Sequence, residues 1–447
     1  MGSSDTISAI ATSAGVGGVG IVRISGPLAS EIAKEILSET PQPRRAVFSQ
    51  FRSSDGSTID TGLALYFPGP HSFTGEDVLE LQGHGGPVIL KLVLDRTLEL
   101  GARMARPGEF SERAFLNDKI DLVQAEAIAD LIESGTEASA RAAQRSLEGC
   151  FSKEIQALQH TLTELRVFVE SAIDFPDEEI DFLAESDVVQ RLERVSSQLD
   201  ELLANARQGR LLRDGIVVAI VGRPNAGKSS LLNILAGSDV AIVTEVPGTT
   251  RDLLREQIQL DGIPVHLVDT AGIRETDDAV EAEGIRRARA ALDSANVVFH
   301  VVDASAGPWD QETNSPATIR VFNKTDLLGQ DQQKTLAEKI AGTSTPAVML
   351  SAKTGDGLDD LKAAALELIG AEGATEGSYS ARQRHVDALR RVSGHLEQGR
   401  TQLVETQAGE LLAEELRLAQ TALGEITGEF SADDLLGEIF ASFCIGK

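Results

Sequence analysis

The run Gly222-Arg-Pro-Asn-Ala-Gly227-Lys228-Ser229 has the spacing G-x-x-x-x-G-K-[ST], the residue order that holds a nucleoside phosphate. Glycines let successive backbone N–H groups curl around phosphate oxygens, and the helix start adds partial positive charge. Lys228 then reaches the β- and γ-phosphates, and Ser229 offers a hydroxyl to Mg2+. Three more runs follow in a fixed order. Asp269-Thr270-Ala271-Gly272 supplies a carboxylate for the Mg2+ shell and a glycine amide for the γ-phosphate. Asn323-Lys324-Thr325-Asp326 supplies a carboxylate that accepts two N–H bonds from the guanine edge, a donor pair adenine lacks. Ser351-Ala352-Lys353 closes the base pocket.

The elements that must position these groups are short apolar runs alternating with helical segments: IVVAIVG, PVHLVDTAG, NVVFHVVDAS, TIRVFNKTD and PAVMLSAK. That alternation predicts a doubly wound, mostly parallel α/β sheet over residues 215–370. Residues 1–117 read as an α+β domain, with β-prone runs such as Val19 to Ile24 and Leu63 to Phe67 separated by turn signals. Residues 118–214 and 371–447 carry apolar positions at helical spacing, such as Leu158, Leu162, Leu165 and Val169, then Leu412, Leu416, Ala419 and Leu423. The fold class is therefore multidomain, α+β and α/β. A helical domain is built from both flanks and a phosphate-loop domain is inserted through linkers expected at Gln208 to Gly215 and Gly370 to Ser378. The acidic run Asp174 to Glu179 reads as a solvated connection between helices.

Composition narrows the function classes. The chain has 447 residues, 42% hydrophobic, with 41 Lys and Arg against 69 Asp and Glu, a formal net charge of −28. That balance argues against autonomous, high-affinity nucleic-acid binding, which rests on basic phosphate contacts. Two cysteines, Cys150 and Cys444, argue against a disulfide scaffold or a cysteine-rich metal site. No charged and then apolar leader and no bilayer-length apolar run is present, so the expected location is cytoplasmic, without a membrane partner.

The joint set of motifs over 215–370 resembles the GTPase superfamily. Asn225, together with Thr244-Glu245-Val246-Pro247-Gly248-Thr249-Thr250, is similar to the subgroup that recruits K+ beside the phosphates in place of an arginine finger. Ile273 stands where a water-orienting glutamine would follow Gly272; Glu281, by spacing alone a helix-surface acid, takes that task only through family resemblance. DTISAIATSAGVGGVGIVRISG, FTGEDVLELQGHGG and the terminal FCIGK extend the resemblance over nearly the whole chain to the MnmE (TrmE) family of tRNA modification GTPases.

That resemblance implies a folate-binding, dimerising N-terminal domain whose tetrahydrofolate contacts map to Arg23, Glu80, Lys119 and Lys447. It places Asn225, Ala226, Gly227, Lys228, Ser229 and Ser230 on GTP. It assigns Ser229 and Thr250 to Mg2+, Asn225, Thr244, Val246 and Thr249 to K+, and Glu281 and Lys228 to catalysis. It further implies a homodimer that works with the flavin-dependent partner MnmG on the wobble uridine of tRNA, using a 5-formyl- or methylene-tetrahydrofolate.

Cys444 is a candidate for the modification chemistry through the same resemblance. A lipidation reading of C-I-G-K is disfavoured by the terminal Lys447, and Cys150 reads as structural. The segment from Asp303 to Asn323, with Pro308 and Pro316, leaves room only for a short helix or loop. A ribosome-assembly or signalling GTPase switch without modification chemistry would share the GTPase motifs. It would have no use for Arg23, Glu80 and the FCIGK terminus.

Overall fold

The structure, a computed structural model, describes residues 5–174, 187–238, 255–269, 295–307, 317–371, 378–406, 408–429, 433–441, 443 and 446. The chain divides into two compact units, Met1–Ala129 with Leu147–Leu192 and Arg391–Lys447, and Asp130–Ser146 with Glu193–Arg390.

The first unit opens with β1 (Ile7–Ile10), β2 (Gly17–Ser25), α1 (Ala29–Leu37), β3 (Val47–Arg52), β4 (Thr58–Phe67), β5 (Val78–Gly85), α2 (Pro87–Glu99) and β6 (Arg103–Met104). Their six-stranded sheet has the order β3-β4-β5-β2-β1-β6. Pairing is antiparallel except between β1 and β6. Side chains alternate across a strand, so Val22, Ile24, Leu79 and Leu81 enter a core with Ile32, Ile36, Leu90 and Leu94 from α1 and α2. The intervening Ile21, Arg23, Glu80 and Gln82 are half-buried on the other face. That division gives one face to the core and leaves the other outside it.

Helices follow: α3 (Glu109–Leu116), α4 (Leu122–Glu133), α5 (Glu137–Leu147), α6 (Cys150–Asp174) and α7 (Asp187–Asp214). The helical spacing read from Leu158, Leu162, Leu165 and Val169 is the buried stripe of α6. The second unit holds β7 (Ile216–Gly222), α8 (Lys228–Ser238), β8 (Arg255–Leu260), β9 (Ile263–Asp269), β10 (Val297–Asp303), β11 (Thr318–Asn323), α9 (Gln330–Ala341), β12 (Ala347–Met349) and α10 (Leu358–Leu368). Its sheet order is β12-β11-β10-β7-β9-β8, parallel apart from the β8–β9 hairpin. This is the doubly wound sheet expected from the alternation of short apolar runs and helices. The chain closes with α11 (Gln383–Thr406), α12 (Gly409–Thr427) and α13 (Asp433–Ala441). Within the first unit α12 packs on α6, where Gln420 Nε2 donates to Thr163 Oγ1 at 2.5 Å.

One expectation is corrected. The stretch Gln208 to Gly215 is not a linker, because α7 runs unbroken to Asp214. Gly209 is there for packing: a Cβ on it would stand 2.1 Å from the Tyr379 carbonyl oxygen, so only glycine lets residues 378–381 pass against the helix. The entering and leaving segments are fastened to one carboxylate. Asp130 accepts from Arg213 Nε at 2.8 Å, Arg382 Nη2 at 2.7 Å and Ser380 Oγ at 2.9 Å. Burial works against the charge on Arg213, but Asp130 and Asp214 outweigh it and push the guanidinium further into its charged form. The expected connections at Asp174 to Glu179 and Gly370 to Ser378, and the Pro308 to Pro316 segment, fall mainly outside the described residues. No helix among the described residues is long and apolar enough to cross a membrane.

Candidate functional site

In the second unit, strand ends bring three of the four nucleotide motifs together. β7 ends at Gly222 and α8 begins at Lys228, so the phosphate loop spans the strand-to-helix turn. Asn225 has φ 62° and Gly227 has φ +98°, turning successive amides inward in the manner of an anion-binding loop. Gly227 is also sterically required: a Cβ there would lie 2.1 Å from Asn323 Nδ2. That amide donates to the Ala226 carbonyl at 2.9 Å, joining the phosphate loop to the base motif. Ser229 and Ser230 are exposed in the first turn of α8, where a hydroxyl suits a Mg2+ ion at the phosphates. Asp269 closes β9 in register with Ile220 of β7, which puts the second Mg2+ candidate on the neighbouring strand end. Lys228 Nζ donates to the Gly222 and Arg223 carbonyls at 2.9 and 3.2 Å, folded over the loop it would leave to reach a phosphate.

The base pocket is held by side chains. Asn323 Oδ1 accepts from the Lys324 and Ala352 N–H groups at 2.8 and 2.9 Å. Ser351 Oγ donates to Asp326 Oδ1 at 2.9 Å, orienting the carboxylate assigned to guanine. Sequence reasoning missed Asp303, which pairs with Lys324 Nζ at 2.5 Å. Burial raises the Asp303 carboxyl, but hydrogen bonds from Lys324 and Ser305 hold it below its ordinary value. Its place at the end of β10, beside Asn323 in the β10–β11 register, was the available signal. Thr325 is buried, and Lys353 lies beyond Ala352 in the same turn. Thr244 to Thr250, Thr270 to Gly272 and Glu281 lie outside the described residues.

A second constellation lies in the first unit. Arg23 on β2 and Glu80 on β5 are register partners, and Arg23 Nε donates to Glu80 Oε1 at 2.9 Å. The guanidinium also lies 5.7 Å from the ring centroid of Phe110. Arg23 Nη1 reaches the Gly446 carbonyl at 3.5 Å. A Cβ on Gly446 would stand 2.3 Å from the Ile10 carbonyl oxygen, so the tail meets the end of β1 through a glycine. Gly446 therefore comes to Arg23, a residue hundreds of positions earlier, while Cys444 and Lys447 lie outside the described residues. Lys119 is placed differently. It donates from Nζ to the Pro70 carbonyl at 2.9 Å, lines a 450 Å³ cleft with Phe115, Asp118 and Gln156, and makes no ion pair with Glu80. Cys150 is a free, half-buried thiol at the start of α6.

A buried network missed by sequence reasoning supports this unit. Arg113, 3% exposed, binds Glu76 at 3.0 Å, Asp5 at 2.8 Å and Glu109 at 3.2 Å. Burial opposes its charge, and Glu76 and Glu109 more than restore it. Ser25, two residues beyond Arg23, joins the network by donating to Glu76 Oε2 at 2.7 Å.

Comparisons with known proteins identify the family. Residues 122–444 match the family model described as the MnmE helical domain, and residues 6–119 match the one described as the GTP-binding protein TrmE N-terminus. The chain is 56% identical over 455 residues to the tRNA modification GTPase MnmE of Pseudomonas fluorescens (strain Pf0-1), covering 99% of each chain. It is 55% identical over 459 residues to the protein of that name from Yersinia pseudotuberculosis serotype IB (strain PB1/+), covering 100% of each. Among solved structures, the G domain of the T. maritima FeoB iron transporter is 26% identical, covering 34% of this chain and 98% of that one, with a TM-score of 0.25. With near-complete coverage at more than half identity, the chain belongs to the MnmE (TrmE) family of tRNA modification GTPases, enzymes that hydrolyse GTP and use Mg2+.

Proposed function

We propose that this tRNA modification GTPase is stimulated by K+ and acts as a homodimer with the flavin-dependent partner MnmG. The product is an aminomethyl or carboxymethylaminomethyl group at C5 of a wobble uridine, built from the one-carbon unit of a tetrahydrofolate. The observation that carries this reading is the meeting of Arg23, Glu80 and the C-terminal Gly446 on one face of the first sheet. A carboxylate suits the aminopyrimidine edge of a pterin, and the adjoining guanidinium orients it. A GTPase that acted only as a binding switch would gain nothing from this assembly.

Other features agree with the remaining parts. Asn225 is exposed in the phosphate loop, where a side-chain oxygen can meet a monovalent cation beside the phosphates. The cation would offset charge that develops between the β- and γ-phosphates, the task of an arginine finger elsewhere. Val16 and Val19, 90% and 63% exposed near the start of β2, form an apolar surface suited to a second copy. The net charge of −28 supports a reading in which most tRNA phosphate contacts come from the partner, with the work done in the cytoplasm, where tRNA is used.

The test is reconstitution of the full chain with MnmG, unmodified tRNA, GTP, K+ and a tetrahydrofolate labelled with carbon-13 at the one-carbon position. Mass analysis of the nucleosides should find the label in the C5 substituent of the wobble uridine. Modified uridine without the label would refute the folate part, and no modification in the complete mixture would refute the whole.

A further inference from the structure

The open face of the first sheet carries more than Arg23 and Glu80. The strand registers put Arg23, Glu80 and Leu65 on one level, and Ile21, Gln82, Leu63 and Phe48 on the next. Gln82 Nε2 donates to Glu80 Oε2 at 3.3 Å, continuing the polar row along β5. At the end of that row stands His84, its side chain 71% exposed. Its Nδ1 lies 2.7 Å from Asp60 Oδ1, and Asp60 is only 9% exposed.

This pair is built into the sheet, unlike a casual surface ion pair. Asp60 Oδ2 accepts the His84 main-chain N–H at 2.8 Å, and Oδ1 accepts the Thr61 N–H at 2.8 Å. A Cβ on Gly83 would stand 2.3 Å from Asp60 Oδ2, so the carboxylate needs glycine at that position to reach across. Burial pushes the Asp60 carboxyl up, but hydrogen bonds from His84 and Thr61 outweigh it and keep the group below its ordinary value. A largely buried carboxylate thus fixes one exposed imidazole, with Nδ1 toward Asp60 and Nε2 on the side away from it. Phe48 and Leu63, 73% and 40% exposed, form an apolar strip beside the row.

We propose that His84, held by Asp60, binds the carboxylate tail of the ligand whose aminopyrimidine edge meets Glu80, with the ligand's aryl ring lying on Phe48 and Leu63. This rests on the folate-type reading of the Arg23–Glu80 pair. Beyond the contacts the resemblance implies, the tail needs a hydrogen-bond partner along the sheet, and the described basic groups near the pair already have partners: Arg23 has Glu80, Phe110 and Gly446, and Lys119 has Pro70. At a rise of about 3.3 Å per residue, His84 lies roughly 13 Å along β5 from Glu80, a span comparable to an extended pteridine and aminobenzoyl unit. With Nδ1 against the Asp60 carboxylate, the far ring nitrogen, Nε2, is left to meet the ligand's carboxylate. His84 is thus a specificity residue for the acidic arm, and Asp60 is a positioning residue that acts through it.

Calorimetry on the full chain separates this proposal from the reading beneath it. The probes are 5-formyltetrahydrofolate and 6-methyltetrahydropterin, which lacks the aminobenzoylglutamate arm. His84→Ala should weaken binding of the whole folate by roughly ten-fold while leaving the pterin within about twofold of wild type. Asp60→Asn should do the same more weakly, and thermal melts will show whether it remains folded. Wild-type binding of the folate with no change in His84→Ala overturns the tail assignment alone. An equal loss for both probes overturns it too, because the effect would then be structural. If Phe48→Ala changes the oligomeric state and leaves folate affinity intact, the strip is a contact between copies and the proposal fails. If wild type binds neither probe, the Arg23–Glu80 reading falls, and this inference with it.

Discussion

The nucleotide pocket and the open face of the N-terminal sheet, which we propose for a folate, are built by different means. The phosphate loop of the pocket is written in backbone, where Gly222, Asn225 and Gly227 turn main-chain amides inward, and even the side-chain contacts of the base pocket come from short contiguous runs at strand ends. The open face is written in side chains from distant parts of the chain: Arg23 meets Glu80 and the Gly446 carbonyl, and His84 meets Asp60, only after folding. Backbone sites need fixed spacing, because glycine and helix starts must fall at set positions. Side-chain sites on a sheet need only the right face of each strand, which local spacing does not reveal.

The largest effect that would sharpen this contrast concerns the base. Asp326 is held by Ser351, so Asp326→Asn should cut discrimination for GTP over ATP by at least about 100-fold. Nucleotide competition measures this, and unchanged discrimination would remove the guanine assignment. Next comes the cation: GTP turnover in KCl should exceed that in NaCl by at least about ten-fold, and equal rates would remove the K+ mechanism. On the open face, Arg23→Ala should weaken folate binding about ten-fold through misorientation of Glu80, with GTP affinity unchanged. A matching loss in GTP affinity would mean that the two constellations are not separate sites.

The smallest effect is in acid. The folded Asp303 carboxyl lies below its ordinary 3.8, so its contribution to stability is full above that value and is lost as the pH falls through the lower folded value. Asp303→Asn should therefore be less stable than wild type near neutrality by at most about 1 kcal/mol, with the gap closing below about pH 4. Denaturant melts across that range check the sign.

The same contrast explains what was legible in the sequence. The strands that end at Gly222, Asp269 and Asn323 were found because buried parallel strands read as apolar runs and their ends carry motif residues. The Asp303–Lys324 pair was missed because an aspartate at a strand end has no signature until its neighbour is known. The stretch Gln208 to Gly215, expected as a linker, is the end of a helix, and local spacing does not reveal the contact made there. Gly209 is in fact a mid-helix glycine that accommodates the Tyr379 carbonyl. Arg23, Glu80 and Lys119 were reached through family resemblance, and His84, inside a quoted motif, was passed over because its partner Asp60 lies 24 residues away.

The most direct test of the whole account is titration of the full wild-type chain with 5-formyltetrahydrofolate in parallel with Arg23→Ala. The account predicts saturable binding by wild type and clear weakening in the variant. Absence of binding to wild type at millimolar ligand would contradict it, leaving a GTPase whose N-terminal sheet serves some other end.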